Sequence, residues 1–149
     1  LSKECQEKLQ EMIGMAQKYY DRWMGTMEEQ LRPLLLQIQK KTELLETEKN
    51  IAELKKAYTE LDNVYRETGG YSDPYLYQEE LKKLIAEAEQ VQEKYDYASL
   101  NDAITASKGV VGSEDTYKLQ QQHNLLQQEI NQTKEQYLTD PPPGRRYCR

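Results

Sequence analysis

From Cys5 onward, apolar residues recur three and four positions apart along most of the chain. That spacing admits one kind of secondary structure, because a helix of ~3.6 residues per turn lays such residues down one face. Cys5, Leu9, Met12, Ala16, Tyr19 and Trp23 step by four, three, four, three and four, a heptad-like seam. Charged residues make up 31% of the chain and mean hydropathy is −0.99, a composition that by itself fits disorder. The periodicity outweighs it, since a disordered chain has no reason to keep a stripe. The expected fold is all-α: an elongated antiparallel bundle of about four long helices, forming a single domain over residues 1–149.

Helix one is expected over 1–32, with Met15, Met24 and Met27 thickening its stripe. Pro33 breaks the pattern, because proline lacks the N–H and disfavours helical geometry in the residue before it. The chain either reverses there or continues as a kinked helix. Helix two follows over 34–67, with one seam through Leu35, Ile38, Thr42 and Leu45 and a second through Leu44, Ile51, Leu54, Tyr58, Leu61 and Tyr65. The step between the seams falls at 46–50. Thr68-Gly69-Gly70-Tyr71-Ser72-Asp73-Pro74 is the clearest turn, two glycines closing one helix and Asp-Pro opening the next.

Helix three, over 74–98, has the most regular seam: Tyr77, Leu81, Leu84, Ala88, Val91, Tyr95 and Ala98, with Ile85 beside it. Residues 99–105 read as a further turn or two, and 108–112 as a loop. Helix four, over 113–138, starts at Ser113 as N-cap and carries Leu119, His123, Leu126, Ile130, Thr133 and Tyr137. A Pro/Arg tail, 139–149, ends the chain.

The two cysteines, Cys5 and Cys148, stand near opposite ends. In an up-down-up-down bundle the last helix ends beside the first one's start, so a Cys5–Cys148 disulfide is expected. Closing so long a loop is worth roughly 5 kcal/mol in the chain-entropy model. Such a bridge belongs to an oxidising compartment, and a start at Leu1 fits removal of a signal peptide, or equally a segment excised from a longer chain. Free thiols or pairing between chains are the alternatives. No apolar run approaches the ~20 residues of a membrane span.

Little chemistry is visible. The one histidine, His123, lies on a seam, where a spacer is expected rather than a catalyst. No Glu-x-x-His pair, zinc spacing or phosphate loop is present, so no enzyme, metal or cofactor is expected. The net charge is −6 with no Lys/Arg stripe, which argues against a nucleic-acid partner. Arg145, Arg146 and Arg149 form the one basic cluster, a candidate anion-binding tail. Asn131-Gln132-Thr133 is a candidate glycosylation sequon at Asn131.

Twelve tyrosines, one tryptophan and no phenylalanine shift attention to recognition, because tyrosine gives large contact area at low entropy cost. Tyr71, Tyr75 and Tyr77, around the turn, are the candidate protein-binding residues. The competing reading has Tyr71 covering Gly70 and Tyr75 packing as a staple. The expected function is a secreted, monomeric, non-enzymatic factor that binds an extracellular protein through helical faces or this turn. One alternative is an extracellular carrier of a lipid or small apolar ligand, lined by Met12, Met15, Met24, Met27 and Trp23. Another is a structural coiled-coil segment of a larger protein.

In its Cys5/Cys148 pair, its Leu1 start and its Lys/Glu/Tyr-rich helices, the chain resembles the small all-helical secreted proteins in the saliva of blood-feeding insects. The resemblance implies a salivary effector that binds host or vector proteins.

Overall fold

The computed structural model describes residues 1–139. Among them the fold is all-α, with five α-helices and one turn of 3-10 helix. These are α1 (Ser2–Thr47), α2 (Ile51–Glu67), the 3-10 turn (Gly70–Ser72), α3 (Pro74–Tyr95), α4 (Ala98–Val110) and α5 (Thr116–Thr139). No described helix is long and apolar enough to cross a membrane. The helices gather into two compact units, Leu1–Asp73 and the residues from Pro74 onward.

In the first unit, a straight α1 of 46 residues would span ~69 Å. Its ends instead come together: Ser2 Oγ donates to the Lys49 carbonyl at 2.8 Å and Gln6 Nε2 to that of Glu48 at 3.0 Å. α1 therefore folds back on itself. Its one residue with non-helical dihedrals is Met27 (φ −131°, ψ 37°), which separates a limb over 2–26 from a limb over 28–47. α2 then runs back beside them. Leu54 and Ala57 meet Leu9, while Cys5, Ile13, Leu44 and Leu45 close around that contact. The unit is an up-down-up arrangement of three helical segments.

The reversal expected at Pro33 is thus corrected to Met27, and the break expected between 32 and 34 does not exist. Pro33 lies exposed inside the second limb. The carbonyl that its N–H would have bonded belongs to Glu29, which is also exposed, so water can take the place of the missing bond. Helix two accordingly begins at Ile51 rather than at 34. The chain breaks at Glu48-Lys49-Asn50, within the expected step between seams, and Asn50 Oδ1 caps the new helix by accepting from Glu53 N at 3.2 Å.

The second limb buries Leu31, Leu34, Ile38 and Lys41. A lysine therefore occupies a core position, with Nζ 3.4 Å from Glu60 Oε1 at the edge. The expected partner on that seam, Thr42, is exposed and its hydroxyl bonds back to the Ile38 carbonyl at 2.7 Å. In α2 the buried set is Leu54, Ala57, Leu61 and Tyr65; Ala57 takes the place expected of Tyr58, which is exposed.

In the second unit, α3 and α5 run in the same direction with α4 antiparallel to both. Gln78 Nε2 near the start of α3 reaches the Ser113 carbonyl just before α5 at 2.7 Å, and at their far ends Tyr95 and Tyr137 meet edge to face at 4.5 Å. Lys108 of α4 pairs with Glu89 of α3 at 3.0 Å. The core joins Leu81, Leu84, Ile85, Ala88 and Val91 to Leu100, Ile104, Leu119, Leu126 and Ile130.

α3 ends at Tyr95, three residues short of the expected Ala98, because Asp96 adopts left-handed geometry (φ 59°) and its N–H closes on the Gln92 carbonyl at 2.8 Å. The short turn expected at 99–105 is a full helix of 13 residues, and it continues through Gly109 and Val110 of the expected 108–112 loop. The cap of α5 is Asp115 rather than Ser113. Its Oδ1 accepts from Tyr117 N and Lys118 N at 3.1 and 3.2 Å, while Ser113 Oγ receives the N–H of Asp115.

Candidate functional site

The glycine turn that closes the first unit is locked by tyrosines. Gly69 takes left-handed geometry (φ 96°), which turns the chain after α2. Gly70 then passes so close to the Tyr65 ring that a β-carbon would collide with three ring atoms. Tyr65 is fully buried, with Tyr19 at 5.5 Å and Tyr71 at 4.7 Å, both edge to face. Aromatic pairs of this geometry contribute about 0.5–1.5 kcal/mol each beyond their burial. Tyr19 Oη donates to the Thr68 carbonyl at 2.6 Å, satisfying the end of α2. Asp73, its side chain fully buried, is held by Arg22 at 3.2 Å.

Tyr71 is drawn into this lock. Its hydroxyl donates to Asp62 Oδ1, and the Arg66 guanidinium sits 4.4 Å over its ring while reaching Asp62 Oδ2 at 3.6 Å. Burial first, and then the hydrogen bond to Asp62, push its phenol well above the ordinary tyrosine range. Burial, with the charge of Asp73 behind it, raises Tyr19 as well. Both phenols hold their protons and act as hydrogen-bond donors. The arrangement is a structural clasp that fixes the turn.

The other candidate residues meet different fates. Tyr75, on the first turn of α3, is 38% exposed, whereas Tyr77 is half-buried against the core of the second unit. Tyr71 therefore belongs to one unit, and Tyr75 and Tyr77 to the other. Asn131 is exposed on α5 and accepts from Gln127 Nε2 at 3.2 Å, but Thr133, the hydroxyl residue of the same sequon, is buried. Cys5 is half-buried at the edge of the Leu9–Leu54 contact. Cys148, Arg145, Arg146 and Arg149 lie outside the described residues.

The residues suggested to line a ligand cavity do not form one enclosed set. Met12 is buried, Met15, Trp23 and Met27 are half-buried, and Met24 is 42% exposed. His123 is half-buried on α5. Among the described residues no group of three His, Cys, Asp or Glu stands together as a metal site.

One surface stands out on the outer side of α5. Tyr117 is 67% and Leu125 57% exposed, and Gln121 Nε2 donates to the Tyr117 hydroxyl at 2.7 Å between them. Asn124, Gln128 and Gln132 are exposed along the same helix. Residues 119–128 carry no formal charge, a long gap in so charged a chain. Leu125 drew no attention in sequence because it adjoins the seam residue Leu126. The signal available was the charge-free run 119–128 itself, in which Leu125 stands off the seam that Leu119, Leu126 and Ile130 define. Compared with models of protein families, with curated proteins and with solved structures, the chain finds no match.

Proposed function

We propose that this protein is a secreted, non-enzymatic protein-binding factor that docks an extracellular partner on the outer face of α5. The observation carrying this reading is the exposed Tyr117–Leu125 pair on an uncharged, amide-lined helical surface. Interface centres are depleted in charge and enriched in tyrosine, and amides adapt their hydrogen bonds to a partner. The inward fixing of Tyr71 favours a helical face over the glycine turn as the docking site. The Cys5–Cys148 bridge and the salivary-effector setting belong to the same proposal. The scattered exposure of the methionines weighs against a carrier, and the reversal within α1 weighs against a spacer rod.

The test is capture from host plasma on the immobilised full chain. A partner retained by the wild type and by Tyr71→Phe, but lost with the double change Tyr117→Ser and Leu125→Ser, supports the reading. Equal capture by the double variant, with helicity unchanged by circular dichroism, overturns it.

A further inference from the structure

We propose that the outer face of α5 also pairs with the same face of a second copy of this chain, antiparallel about a two-fold axis at Leu125. This rests on the reading of that face as a binding surface, and it replaces the monomer expected from sequence with a reversible dimer.

The argument is one of charge. Lys118 and Glu129 flank the uncharged stretch; Lys118 is exposed, Glu129 half-buried, and neither makes an ion pair among the described residues. They are eleven residues apart, and at ~100° per residue eleven steps return to within ~20° of the start. Both therefore lie on one edge of the face that carries Gln121, Leu125, Gln128 and Gln132. An isologous antiparallel pair brings residue 125 + k opposite 125 − k, and like edges meet.

Leu125 then stacks on its own symmetry mate. Lys118 of each copy comes opposite Gln132 of the other, within one turn of that copy's Glu129, so the two-fold creates the same opposite-charge pair twice. A parallel pairing would instead set Lys118 on Lys118 and Glu129 on Glu129, which repulsion disfavours. The glutamines between them have both donors and acceptors to exchange across the seam. Glu114 precedes the helix and lies outside the paired stretch.

A single helix pair of this length covers less than the ~1,200 Å² of a standard interface. The dimer is accordingly weak and concentration-dependent, and it masks the face that a foreign partner would use.

Sedimentation equilibrium of the full chain over a wide concentration series tests this. The wild type is expected to pass from monomer to dimer as concentration rises. Lys118→Glu alone, or Glu129→Lys alone, should weaken the dimer about tenfold or more. The double exchange should restore it. A wild type that stays monomeric at the highest concentration, or a double exchange that fails to restore pairing, overturns the proposal. If pairing fails while the Tyr117/Leu125 variant still loses its plasma partner, only the self-pairing is wrong. If neither binding depends on this face, both readings fall.

Discussion

Replacing Gly70 by alanine should cost the first unit far more than a single methyl group suggests. The added β-carbon meets the Tyr65 ring, and that ring is fully buried with Tyr19 and Tyr71 set edge-on against it. Neither the ring nor the backbone can yield without undoing the Tyr19–Thr68 hydrogen bond or the Tyr71–Asp62 hydrogen bond. Overpacking of this kind costs ~1–3 kcal/mol. In a unit of 73 residues each kilocalorie lowers the melting midpoint by about 4–8 °C, so a cost of ~2 kcal/mol predicts a drop of about 8–16 °C. The assay is provided by the chain itself. Trp23 is the one tryptophan and lies in the first unit, so its fluorescence follows that unit while far-ultraviolet circular dichroism follows both. Gly14→Ala is the matched control: it lies within α1 with no heavy atom within 4 Å of an added β-carbon, and should raise stability by ~0.5–1 kcal/mol. A Gly70→Ala protein that melts with the wild type refutes the clasp. So does a loss of equal size when Tyr65 is already leucine, because the collision would then not be its source.

Three further outcomes follow from the same geometry. The folded protein keeps the Tyr71 proton at pH values where the unfolded chain has released it, so stability should hold below about pH 10 and fall as pH rises beyond. Tyr71→Phe should flatten that alkaline fall in a urea titration monitored at Trp23, and an unchanged slope would count against the buried hydrogen bond. Asp96→Gly should stabilise the second unit by ~0.5–1 kcal/mol, because glycine takes the left-handed geometry without a β-carbon penalty, whereas Asp96→Val should destabilise it. Equal midpoints for the two would contradict that turn. Lys41→Met should be neutral or stabilising, since it fills a core position without a charge to desolvate, while Lys41→Ala should cost ~2 kcal/mol or more in lost packing. Chemical denaturation of the pair decides it, and a methionine variant weaker than the alanine one would sink the reading.

In the second unit the buried faces of α3 and α5 were legible in the sequence, but the full length of α4 and the parallel run of α3 and α5, where antiparallel helices were expected, were not. Leu81, Leu84, Ala88 and Val91 on α3, and Leu119, Leu126, Ile130 and Thr133 on α5, keep strict spacing and are all buried. The first unit was harder, because its decisive features are not local. Pro33 looks like a breaker but is harmless on a solvated face near a limb's start. Met27, a good helix former with only Gly25 and Thr26 nearby as hints, carries the actual reversal. Lys41 reads as a polar residue until Glu60 is placed beside it. Tyr71 reads as a displayed aromatic until Asp62, Tyr65 and Arg66 are seen to hold it. The exposed face of α5 was not legible, since neither Tyr117 nor Leu125 stands in a turn and Leu125 adjoins the seam residue Leu126.

The single-residue reversal at Met27 has a consequence for how this chain tolerates change in length. Connections between helices ordinarily absorb insertions and deletions, because a flexible loop decouples the segments it joins. Here the two limbs of α1 are separated by one residue, so their helical phases are rigidly coupled. Deleting Gly25 would turn the first limb by ~100° about its axis relative to the second. The stripe of Leu9, Met12, Ala16 and Tyr19 would then leave the core and charged positions would enter it. At this bend the reading frame of the helix is as constrained as the identity of any buried side chain.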